Sequence, residues 1–335
     1  MSTDNKPIGY LDKYIVDELQ RCKNEGLYRA LPELIQRRKV DGHYHFILQF
    51  HASWESTKRS VFNVSPSMTD PFNPNCFSFD KAKHNEILCK ILYKDGVCTA
   101  FSKDDSVEGD LVFYTYINVS PVSAGQHVFV PNPSKHYPQI YTPSFQEPIL
   151  CIFDLFQADD YAIFFNSLAG WASVNHQHWH GLNLTAFSQY DHRLPVQFQP
   201  KSLFLSNNKI DVYTIEDWIC HTIVFENTLG KPNRHAFAQL LIQFIEPLYK
   251  ENIPFNIMIN NHGNSVYLFL RTPQITVEDI GYKAAFAELS GMIIVRKEEA
   301  FQTLDEQTIL QKSAVFKISQ EKWNTIATIY RNLFK

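Results

Sequence analysis

Three alternating histidines, in the run His176-Gln177-His178-Trp179-His180, constrain this chain more tightly than any other stretch. Imidazoles two residues apart share a face only on an extended backbone, where successive side chains point to opposite sides. The run and its flanks predict a strand over 173–184, with His176, His178 and His180 on one face. Gln177 and Trp179 then face the other way. One strand is not stable by itself, so the chain must supply a sheet for it.

Other stretches supply partners. Residues 44–50 alternate apolar and polar, 111–119 form a second strand candidate, and 128–130 read as its hairpin partner after the Ser123-Ala124-Gly125 turn. Residues 162–165 also favour a strand. Residues 256–259 and 265–270 straddle Asn260-Asn261-His262-Gly263-Asn264, a good hairpin turn. Helical spacing predicts helices within 8–40, with a second short one at 27–35, over 234–250 and over 320–333. The apolar run 149–155 fits strand or helix. Residues 51–82 form a long polar loop with Pro66, Pro71 and Pro74, a length often tied to function. Phe at 26 residues and Gly at only 12 suit a sheet-rich protein better than a glycine-looped dinucleotide binder.

Charge and composition exclude several classes. The net charge of −4 offers no basic field for nucleic acid, so any anion must be gripped by a few local residues. No stretch reaches the roughly 20 apolar residues of a membrane helix, and the polar start of the chain has no signal-peptide pattern. A cytoplasmic protein is expected. The six cysteines, at 22, 76, 89, 98, 151 and 220, include no C-x-x-C pair and read as reduced thiols.

The triplet itself admits three chemistries. Neutral imidazole can attack phosphorus and form a phosphoramidate, splitting one displacement into two. For that, the attacking ring needs its distal nitrogen free, and its proximal nitrogen should donate to a nearby carbonyl. Three imidazoles on one face can equally hold a transition metal, or serve only as structural residues. The segment upstream, Asn166-Ser167-Leu168-Ala169-Gly170-Trp171-Ala172-Ser173, carries small residues and amide or hydroxyl donors suited to closing around a phosphate.

Phe165-Asn166-Ser167, then Ala172-Ser173-Val174-Asn175, then the triplet, resemble the histidine triad superfamily. Within it, the chain is most similar to the GDP-hexose phosphorylases, animal enzymes acting on GDP-D-glucose and plant ones acting on GDP-L-galactose. Ile117-Asn118-Val119-Ser120-Pro121 with Val128-Phe129-Val130-Pro131 resembles that family's nucleotide-binding hairpin. Lys58-Arg59, Pro71-Phe72 and Cys76-Phe77-Ser78-Phe79 resemble its upstream loop, and 253–269 with 287–291 its C-terminal half.

The resemblance implies an α+β fold of antiparallel sheets with packed helices, in two similar halves. It implies three segments: an N-terminal helical segment over 1–43, a catalytic half over 44–195 and a C-terminal half over 196–335. It implies that His178 carries GMP covalently, that His176 and His180 orient it and bind phosphate oxygens, and that Asn166 and Ser173 are phosphate ligands. Asn118 matches the ribose contact, and Lys58 and Arg59 are candidate phosphate contacts. The implied partners are GDP-hexose and inorganic phosphate, with no cofactor, metal, nucleic acid or membrane; a homodimer is compatible with this reading. Alternatives are a hydrolase that uses water, a non-catalytic nucleotide-binding protein and a metalloenzyme. The chain departs from the family pattern at Ser78, Gln126, Trp171, Gln177 and Gln197. Those departures bear on substrate choice and rate more than on fold.

Overall fold

A computed structural model describes residues 6–53, 67–273 and 282–334. In chain order, helix α1 (Leu11–Asn24) precedes strands β1 (Gln36–Lys39), β2 (Ile47–Phe50), β3 (Ile87–Lys94), β4 (Val97–Ser102), β5 (Leu111–Ile117) and β6 (His127–Pro131). Helix α2 (Pro143–Ile152) leads to β7 (Tyr161–Asn166) and β8 (Trp179–Asn183). The pattern then recurs. Strands β9 (Ser202–Ser206), β10 (Ile210–Ile215) and β11 (His221–Asn227) precede helix α3 (Arg234–Lys250), which leads to β12 (Phe255–Asn260) and β13 (Ser265–Leu270). The short helix α4 (Phe286–Leu289), strand β14 (Met292–Val295), helices α5 (Glu298–Thr303) and α6 (Glu306–Ser313) and the closing helix α7 (Gln320–Leu333) complete the chain.

Eleven strands form one sheet in the order β4-β3-β5-β6-β8-β7-β12-β13-β11-β10-β9. Its first part contains the spatial order β3-β5-β6-β8-β7 with α2 between β6 and β7. Its second part repeats this as β9-β10-β11-β13-β12 with α3 between β11 and β12. The two parts meet where β7 pairs antiparallel with β12, Phe164 lying opposite Met258. The α+β fold in two similar halves is thus the observed one.

Alternation along the strands sorts side chains into two layers. Phe113, Phe129, Ile163, Phe165, Trp179, Phe225, Ile257 and Leu268 join the core under α1, α2, α3 and α7. Ala162, Phe164, Leu182, Val224, Met258 and Tyr267 face the opposite way, against residues 184–196, α4 and the small sheet β1-β2-β14. A smaller cluster, Phe79, Ile87, Tyr116, Val128 and Val130, covers the first half on that same side. Between these two clusters the sheet surface stays open, and the cavity described below occupies that gap.

The helices over 234–250 and 320–333 and the hairpin around 261–264 match their expected bounds closely. Two expectations fail. No α-helix forms at 27–35, because the Arg29 and Ala30 amides donate to the Val119 carbonyl and Pro32 starts only a 3-10 turn. The chain beyond it becomes β1. The strand expected over 173–184 begins only at Trp179, so the triplet straddles a loop and a strand end. The ambiguous stretch 149–155 is helical, finishing α2 and a 3-10 turn.

Candidate active site

His180 lies on β8 opposite Val128 of β6 and Phe164 of β7. Trp179, next to it, points through the sheet and packs on Tyr141 and Phe165. That much of the expected alternation holds. His176 and His178 sit before the strand, in the loop that follows β7. His178 and His180 line the cavity together, their ring centroids 5.1 Å apart. The ring of His176 instead packs against Phe72, Phe79 and His136. The triplet therefore does not present three imidazoles on one strand face. Among the described residues no group of three His, Cys, Asp or Glu side chains is placed to hold a metal ion.

Hydrogen bonds fix a different tautomer at each ring. His178 Nδ1 lies 2.7 Å from the His176 carbonyl, which can only accept, so Nδ1 carries the proton and Nε2 keeps its lone pair. Burial pushes the His178 pKa down to about 4, so the ring is neutral at pH 7. His176 Nδ1 accepts from the Phe79 amide at 3.1 Å, which puts its proton on Nε2. Burial first, and His178 second, push His176 down to about 4 as well. At His180 the Gln126 amide decides. Its Oε1 accepts from the Val122 amide at 2.7 Å, so its Nε2 faces His180 Nδ1 at 3.3 Å and donates to it. His180 is thereby a donor at Nε2. Gln126, noted as a departure from the family pattern, is the residue that sets this.

His127, one position further on, faces the other side. It lies opposite Gly181, takes a hydrogen bond from the Tyr161 hydroxyl at 2.7 Å and donates to the Gly125 carbonyl at 2.9 Å. A side chain at position 181 would collide with both Tyr161 and His127, so the strand needs glycine beside His180.

Asn166, Ser173 and Asn118 all line the same cavity as His178 and His180. Asn166 is buried, and its Oδ1 accepts from Asn256 at 2.5 Å and from the Phe286 amide at 3.0 Å. Residues of β12 and α4 thus hold a residue of the first half. Asn118 closes a turn by accepting from the Ser120 amide. Lys58 and Arg59 lie outside the described residues.

Four residues escaped the sequence reading. Gln139, fully buried, binds the His178 backbone at both its amide, 2.7 Å, and its carbonyl, 3.0 Å. Lys283 and Arg296 bring positive charge to the cavity wall, with Lys283 Nζ 5.0 Å from the Trp171 ring centre. Phe286 packs its ring 5.1 Å from His180. Lys283 and Arg296 flank the motif 287–291, so a scan for cations around that motif would have found them. A lone glutamine after Pro138 carries no such signal. Trp171 lines the wall in a left-handed backbone conformation, φ 72°, which is costly for a bulky residue.

Comparison with known proteins fits this geometry. The GDPGP1-like N-terminal domain matches residues 10–182 and the GDPGP1-like C-terminal domain matches residues 195–335. GDP-D-glucose phosphorylase 1 of Xenopus laevis is 24% identical, over 92% of this chain and 84% of its own length. The Danio rerio protein of the same name is 25% identical over 90% and 84%. GDP-L-galactose phosphorylase 2 of Arabidopsis thaliana is 22% identical over 96% and 76%. Among solved structures, yeast Ap4A phosphorylase Apa2 in complex with Ap4A has the same fold, with a TM-score of 0.60 at 14% identity, covering 94% of this chain and 100% of that one. With both domains matched in order across the sheet and the cavity that joins them, the chain belongs to the GDPGP1-like family.

Proposed function

We propose that this chain is a GDP-hexose phosphorylase, converting GDP-D-glucose and phosphate to GDP and glucose 1-phosphate. The observation that carries the reading is His178, a buried neutral imidazole in a cavity wall whose Nδ1 proton is committed to a carbonyl. Such a ring has one nucleophilic nitrogen and no competing protonation at neutral pH. Relatives named GDP-D-glucose phosphorylase and GDP-L-galactose phosphorylase supply the substrate class.

In the first step, His178 Nε2 attacks the α-phosphorus and the bond to the leaving phosphate oxygen breaks. Hexose 1-phosphate departs and GMP stays on nitrogen. In the second step an oxygen of inorganic phosphate attacks the same phosphorus, the P–N bond breaks, and GDP leaves with His178 neutral again. Through both steps the His176 carbonyl stabilises the positive charge that the ring acquires while bonded to phosphorus. His180, a donor at Nε2, is suited to the non-bridging oxygens, and Asn166 and Ser173 extend that donor set. Lys283 and Arg296 supply the local positive charge that a net acidic protein needs for a pyrophosphate. His176 acts from behind, through its carbonyl.

The test is mass spectrometry of the protein mixed with GDP-glucose without phosphate. The expected product is one GMP on His178, released as GDP when phosphate is added. Rapid release of GMP without phosphate would instead make the chain a hydrolase. Absence of any adduct across a panel of nucleotide sugars would leave it a binding protein.

A further inference from the structure

Strands β7 and β8 pair from Tyr161–Asn183 to Phe164–His180. Continuing that register sets Asn166 opposite His178, yet the two are not paired. The side-chain amide of Gln139 stands between them. Its Nε2 donates to the Asn166 carbonyl and to the His178 carbonyl, each at 3.0 Å, and its Oε1 accepts from the His178 amide at 2.7 Å. One planar amide thus bonds both backbone groups of His178, as a neighbouring strand would, while also holding the end of β7. Gln139 is itself fixed, since its own amide donates to Asn175 Oδ1 at 2.9 Å.

We propose that Gln139 is a positioning residue, a wedge that keeps the two strands apart at the point where the nucleophile and Asn166 must face one phosphate. A buried glutamine amide offers two donor hydrogens and two acceptor lone pairs, and here both donors and one lone pair go to these two backbones. Without it, the native register lets the ladder run on through Phe165–Trp179 to Asn166–His178 and draws His178 toward β7. The inference rests on the phosphorylase reading for its kinetic consequence but not for its geometry.

Two variants test it. In Gln139→Ala, the rate of GMP adduct formation in a single turnover is expected to fall about 100-fold, on the scale of losing a well-oriented reacting geometry, while the half-saturating GDP-glucose concentration changes less than about threefold. In Gln139→Glu, a carboxylate can accept from the His178 amide but cannot donate to either carbonyl. Its activity is expected to recover as pH falls and the buried carboxyl becomes a donor, a dependence absent from the wild type. A wild-type adduct rate in folded Gln139→Ala, or a loss confined to substrate affinity, would overturn the proposal. A crystal structure of Gln139→Ala reads the wedge without any activity: the Asn166–His178 pair should form, and an unchanged gap would count against the proposal. If the wild type forms no adduct at all, the phosphorylase reading fails, and the structural arm still decides the wedge.

Discussion

The two halves of the sheet share one topology and differ in what grows from it. In the first half, residues 167–178 connect β7 to β8; in the second, the corresponding connection is the tight turn 261–264. Register makes the comparison residue by residue. His180 stands opposite Phe164 and Val128, and Tyr267 stands opposite Met258 and Val224, so Tyr267 holds the place of His180. By the same count Ser265 holds the place of His178. His178 and His180 face a cavity, whereas Tyr267 belongs to the core cluster that also holds Trp218 and Phe269, and Ser265 is buried. A sheet of fixed order therefore yields either a site or a packed layer, according to the length of one loop and what lies over one face.

The largest effect that would sharpen this contrast is at the nucleophile. His178→Ala is expected to lose GMP transfer by on the order of 10⁴-fold or more, with no adduct by mass spectrometry and an unchanged far-UV spectrum. Ser265→Ala, its counterpart, should keep the wild-type rate. Next, His180→Ala should slow transfer by roughly 10²–10³-fold, as expected for a donor to charged oxygens, with little change in urea midpoint. Tyr267→Ala should do the reverse: a loss of about 3 kcal/mol of stability in urea unfolding from the emptied core, with the folded fraction still active. If Tyr267→Ala abolished adduct formation in folded protein, the division into a site and a packed layer would be wrong.

Acid provides a finer test. His127, His176 and His178 are each held near pKa 4 by burial, against about 6.5 when unfolded. Between those values the unfolded chain binds more protons than the folded one, so stability falls as pH is lowered from about 6.5 toward 4. For His178 alone this window is worth about 3 kcal/mol. Thermal melts across pH 4–7 should show the loss, and His178→Gln should reduce it while His127 and His176 keep the remainder. The smallest effect is expected at Gln126. Gln126→Met removes one hydrogen bond to His180 and should slow transfer about tenfold, measured as the single-turnover rate.

Much of this fold was legible because its signals are local. The apolar face of α3 and the Asn261-His262-Gly263-Asn264 turn before β13 are written within a few residues of where they act. The start of β8 was not, since the ladder ends where Gln139 inserts from far upstream in sequence. Strands β3, β4 and β9 to β11 also went unread; their partners are set by neighbours rather than by a clean period, and β11 is buried on both faces over most of its length. At 27–35, helical spacing lost to amides spent on Val119. Within the site, the pattern pointed to His178, His180, Asn166, Ser173 and Asn118. It missed Gln139, which carries no motif, and the two cations Lys283 and Arg296, which flank the motif 287–291 without belonging to it.

The β7–β12 seam bears on how the protein can be divided. Every residue of both strands is buried, and the seam is a ladder rather than a linker. Severing the chain near residue 195 would give each fragment a bare apolar edge that invites pairing with any available strand. Neither fragment would be a self-sufficient unit. Expressed together they should find each other and restore transfer, because the edge that β7 lacks is the one β12 offers. Expressed alone, the first fragment would carry all three triplet histidines, yet Asn166 would lose the Asn256 and Phe286 donors that hold it.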